Sequence, residues 1–152
     1  MSITRQKELQ KDLAIYTYTP EWTGNSSNPS IGNGTIVGKY KIIGKTCFFE
    51  IKIVMGSTTS FGSGIYYVTL PVQKSTDYAN NVEIVGTASL DNIGVATYMG
   101  IVTINNSVST NRIEIRSYAG GAGGALSSVT PTVPFTFADG DGIYISGMYI
   151  IN

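Results

Sequence analysis

The chain has 152 residues, enough for one domain with a real core and too few for two. Ten basic and ten acidic residues cancel and make up only 13% of the chain, against ~25% in an ordinary soluble domain, while 42% of residues are apolar. Such a composition excludes wholesale disorder and offers no electrostatic footprint for nucleic acid or an anionic membrane, so Ser, Thr, Asn, Gly and Tyr must wet the surface.

Residues 1–14 differ from the rest. Arg5, Lys7, Glu8, Lys11 and Asp12 crowd charge into this opening arm. Leu9 and Leu13 are four apart and Ile3 lies nearly on the same side, which makes this the only helix candidate. A helix this short is marginal in water by itself. Two readings stand side by side: a frayed, solvated tail, or an arm that docks on a partner through Ile3, Leu9 and Leu13. Glu8 and Asp12 interrupt any signal-peptide core, and no run reaches the ~18 apolar residues of a membrane helix. The expectation is synthesis in a cytoplasm.

From Ile15 the period changes to two. In residues 46–53, Phe49, Ile51 and Ile53 face one way and Phe48, Glu50 and Lys52 the other; in residues 112–116, Ile113 and Ile115 point inward between outward charges, Glu114 among them. Further β-rich runs cover 35–43, 65–70, 82–90, 95–104, 133–137 and 143–151, separated by turn clusters at 25–29, 56–64, 105–107 and 139–142. The spacing predicts an all-β domain over 15–152, a jelly-roll sandwich of about eight to nine antiparallel strands behind a short N-terminal arm. Residues 118–128, with their Gly-Gly-Ala-Gly-Gly, read as a plain mobile loop, since neither a lysine nor a strand-to-helix transition comes after to make a phosphate cradle.

Chemistry is sparse. There is no histidine, which removes Ser-His-Asp and Cys-His nucleophile activation and every imidazole metal site. The single cysteine, Cys47, sits in an apolar run and reads as an inert buried thiol. The acids are scattered rather than paired for glycoside cleavage. Asp139 and Asp141 in Asp139-Gly140-Asp141-Gly142 could hold calcium, but the chain enters a strand at Ile143, and a turn is the stronger reading. The expectation is a non-enzyme with no cofactor and no resident metal. Ten tyrosines suit interfaces, carbohydrate-facing surfaces or strands alike, and position must decide.

Tyr18-Thr19-Pro20-Glu21-Trp22-Thr23-Gly24 and Asn28-Pro29-Ser30-Ile31-Gly32-Asn33-Gly34-Thr35, continuing through Gly38-Lys39-Tyr40, Ile43-Gly44-Lys45, residues 55–64 and Leu70-Pro71, resemble the opening of small β domains in bacteriophage structural proteins. Residues 139–149 share a closing pattern with them. Such domains look like trimeric jelly rolls akin to the globular heads of complement and tumour-necrosis-factor proteins. Read physically, Pro20 and Trp22 pin the chain onto the sandwich, Gly32 and Gly34 permit positive φ, and Gly44-Lys45 closes a hairpin. The resemblance implies a virion part on the outer surface of the particle: a homotrimeric head-decoration (cement) protein bound to the major capsid protein. Its alternative is a tail-fibre tip recognising host surface glycan. No heptads, collagen triplets or β-repeats stand before the domain in these residues; in a full-length protein that favours decoration, whereas a start made by truncating a longer chain returns the lead to the fibre tip.

Overall fold

A computed structural model describes residues 2–11, 14–78, 82–105, 111–118 and 124–152. In chain order its elements are α1 (Ile3–Lys11), β1 (Tyr16–Tyr18), β2 (Trp22–Gly24), β3 (Thr35–Ile43), β4 (Thr46–Val54), β5 (Tyr66–Thr69), β6 (Val82–Asn92), β7 (Ala96–Asn105), β8 (Arg112–Tyr118), β9 (Leu126–Ser128) and β10 (Gly142–Ile150). The all-β expectation holds, and most long runs fall where the period of two puts them. Three short strands escaped it: β1, β2 and β9 have three residues each, too few for alternation to register. Residues 119–123 of the expected mobile loop lie outside the described residues; its last part, Leu126–Ser128, is no loop but β9, paired to β8. Residues 133–137 are not a strand. Pro134 has no N–H to give a ladder, and only an isolated bridge, Thr130 to Val133, forms there, although Phe135 and Phe137 still reach the core.

All strand pairs are antiparallel, in the order β1-β3-β4-β10-β6-β7-β8-β5-β2, with β9 also on β8. β1 and β2 stand at opposite ends of this order, yet only Thr19, Pro20 and Glu21 separate them in the chain. That link spans about 15 Å at most. The sheet must therefore curl until its ends meet. Thr69 holds the seam: its backbone N–H donates to the Glu21 carbonyl, its Oγ1 accepts the Glu21 N–H at 2.8 Å, and its carbonyl accepts the Tyr18 hydroxyl at 3.2 Å.

Alternation decides which side chains the curl encloses. On β4, Cys47, Phe49, Ile51 and Ile53 are buried while Phe48, Glu50 and Lys52 are exposed. β10 crosses the middle, pairing Ile143 to Ile53 on one side and to Leu90 on the other. Trp22 is buried within the core, edge-on against Tyr66 with ring centroids 4.9 Å apart. Tyrosines fasten loops to this core. The Tyr66 hydroxyl donates to the Phe61 carbonyl, and the Tyr149 hydroxyl donates to the Val72 carbonyl while accepting the Val72 N–H. Each phenol is buried along its body and satisfied at its tip, so these tyrosines are internal pins rather than a binding surface.

Two local readings need correction. Glu114 is not a surface charge: it is 7% exposed, its carboxylate accepting from Arg116 Nε at 3.0 Å and from Ser128 Oγ of β9 at 2.6 Å. Gly32 does adopt positive φ, 58°, but Gly34 does not. Gly34 is needed for space, since a Cβ there would collide with the Val54 carbonyl. The Gly44-Lys45 hairpin is as expected, with Ile43 paired to Thr46 and Gly44 at φ 59°.

Candidate interaction surface

The residues singled out in the sequence do not converge on one place. In the arm, the Ser2 side chain accepts the Arg5 N–H and caps α1, and Ile3 is 72% exposed. Leu9 falls within α1, and Leu13 lies outside the described residues. At the other expected site, Asp139 is exposed while Asp141 is 2% exposed and turned inward. Its Oδ2 accepts the Ala138 N–H at 2.7 Å and its Oδ1 the Ile93 N–H at 3.0 Å. The carboxylate thus ties the turn before β10 to the tip of the β6–β7 hairpin. Among the described residues no three His, Cys, Asp or Glu side chains gather as a metal cluster. Cys47 is fully buried, and burial pushes its thiol pKa up, away from the reactive thiolate.

What does converge is the outward phase of β3, β4, β10, β6 and β7. Register lays it out in rows. One row reads Lys41, Phe48, Met148; the next Lys39, Glu50, Ser146, Thr87, Ile101; the next Val37, Lys52, Tyr144, Ser89, Met99. At one end of this face Ile43, Phe48, Ile84, Met148 and Ile150 are all exposed, Met148 by 57% and Ile84 by 66%. The β6 register shifts between Ile84 and Gly86, a bulge that leaves Ile84 beside Phe48 and Met148 around one open groove. A second groove, ≈ 430 Å³, runs between Lys39, Lys52, Met99 and Tyr144; a third, ≈ 410 Å³, lies between Ile15, Lys41 and Phe48. The Lys52 ammonium stands 5.8 Å from the Tyr144 ring centroid.

This surface has few titratable groups and no nucleophile paired to a base. Its chemistry is that of contact: a contiguous apolar band beside isolated charges, larger than the scattered single residues a surface ordinarily shows. Sequence reasoning put Phe48 on the outward side with Glu50 and Lys52 but drew nothing from it. The signal to read was apolar residues in the polar phase, Phe48 on β4 and Met148 and Ile150 on β10.

No helix among the described residues is long and apolar enough to cross a membrane. Comparison with protein-family models, curated proteins and solved structures finds no match to this chain.

Proposed function

We propose that this chain is a bacteriophage virion structural protein, a non-enzymatic jelly-roll domain that decorates the outside of the head as a homotrimer bound to the major capsid protein. The observation that carries the reading is the exposed apolar band of Ile43, Phe48, Ile84, Met148 and Ile150, a surface suited to holding the copies of an assembly together. The arm, residues 1–14, in which residues 2–7 are exposed, then supplies the contact to the shell. In this mechanism the trimer staples neighbouring shell proteins, and three linked arms gain avidity over one. The phage assignment itself rests on the resemblance of residues 18–71.

The alternative, a fibre tip gripping host glycan, draws on the exposed hydroxyls and amides of the loops at 25–33 and 57–63. Those groups are largely committed to one another: Ser27 to Ser63 at 2.8 Å, Asn33 to Ser57 and Thr58 at 3.0 Å. Decoration is therefore the reading kept.

The experiment is co-sedimentation of intact protein and of protein lacking residues 1–13, with undecorated heads of the encoding phage and separately with host cells. Intact protein is expected to bind heads and the deletion to lose most of that binding, mainly through faster dissociation. Arm-independent binding to cells with none to heads overturns the proposal.

A further inference from the structure

We infer that copies of this chain meet through the outward face of β3, β4, β10, β6 and β7, around a rotation axis that runs along β10. The inference rests on the homotrimer reading for the number of copies and on the geometry of the face for everything else.

Area is the first argument. Five strands about 4.8 Å apart, with nine residues rising about 3.3 Å each, span roughly 700 Å². In a three-fold ring each copy buries this face half against one neighbour and half against the other, so about 700 Å² per copy leaves water, near the ~800 Å² that one side of a standard interface buries.

Charge is the second, and it selects the axis. The face carries Lys39, Lys41 and Lys52 against Glu50 and, at its far end on β6, Asp91. An axis along β10 keeps every row at its own height and brings the β4 side of one copy to the β6 side of the next. Phe48 then faces Ile84, Glu50 faces Thr87, Lys52 faces Ser89 and Lys39 faces Ile101, with Met148 near the axis. No charge meets its own kind. A two-fold axis across the strands inverts the rows, setting Lys39 on Lys39, Glu50 on Glu50 and Phe48 on Lys52. Like charges in a closing interface are strongly unfavourable, so that arrangement is rejected.

The pairing of Phe48 with Ile84 is directly testable. Within one chain β10 lies between β4 and β6, and two strand spacings are about 9.6 Å, beyond the ~7 Å a disulfide bridges. The double variant Phe48→Cys/Ile84→Cys therefore cross-links only between chains. Under mild oxidation it is expected to give a covalent trimer on a non-reducing gel, with each single variant remaining uncross-linked. Phe48→Lys/Met148→Lys alters only exposed side chains, so circular dichroism should report an unchanged fold while the self-dissociation constant rises at least about 30-fold, the size of a hot-spot loss. Light scattering that gives a 16.2 kDa monomer for the wild type at micromolar concentration overturns the inference, as does cross-linking by Phe48→Cys alone. Failure to bind heads, with the trimer and its cross-link intact, overturns the decoration function and leaves this interface standing.

Discussion

Removing the Asp141 carboxylate tests whether the Asp-Gly-Asp-Gly turn is a structural clamp or a calcium loop. In Asp141→Ala the N–H groups of Ala138 and Ile93 lose their acceptors, 2.7 and 3.0 Å away, and Asp141 is only 2% exposed, so water does not readily replace it. Charge-assisted bonds of this kind contribute about 1.5–3 kcal/mol each, so the loss is roughly 3–6 kcal/mol. For a chain of this length that is a fall in Tm of roughly 6–24 °C. Asp139→Ala, at an exposed position, should stay within about 0.5 kcal/mol. Urea denaturation and calorimetry, each with and without EDTA, read both effects. The clamp argument expects EDTA to change nothing in the wild type. A drop in Tm on chelation, or a cost below about 1 kcal/mol for Asp141→Ala, refutes it.

Glu114→Ala removes the acceptor that Ser128 Oγ and Arg116 Nε share; a loss of about 1–3 kcal/mol and faster amide exchange at residues 126–128 are expected, and unchanged exchange there would show that Glu114 does not hold β9. Burial raises the pKa of the Cys47 thiol and of the Tyr18, Tyr66 and Tyr149 phenols, so the unfolded chain sheds these protons first as pH rises. Their stabilising contribution is complete below the unfolded values, ~8.5 for Cys and ~10 for Tyr, and is lost above them. Without histidine, Tm should be level from about pH 6 to 8 and then fall above about pH 9; a level Tm up to about pH 11 contradicts the assignment.

The long strands were legible because a half-buried sheet writes its two faces into the chain as alternating residue types. β4 shows this in Phe49, Ile51 and Ile53 against Glu50 and Lys52. Residues 133–137 failed the same test because Phe135 and Phe137 are buried from a loop, and burial without a ladder mimics a strand. Glu114 misled for a different reason. One of its partners, Ser128, comes from β9, a three-residue strand with no period of its own. The interaction face was half-visible: alternation placed Phe48 outward, but only the pairing of β10 between β4 and β6 brings it beside Met148 and Ile84. Such adjacency is a property of topology, and a one-dimensional pattern does not contain it.

The place of β10 also constrains how the domain comes to be. Thr46 pairs with Ile150, and Ile143 with both Ile53 and Leu90. During synthesis β3 and β4 can form their hairpin early, and β6 and β7 theirs, but each hairpin exposes one unpaired flank until β10 emerges from the ribosome and slides between them. Two half-sheets with open flanks and apolar inner faces are sticky intermediates. The same late insertion offers a handle: a chain divided in the loop between β9 and β10 leaves a sheet with a vacant slot, into which a separate strand of residues 142–150 could be supplied in trans.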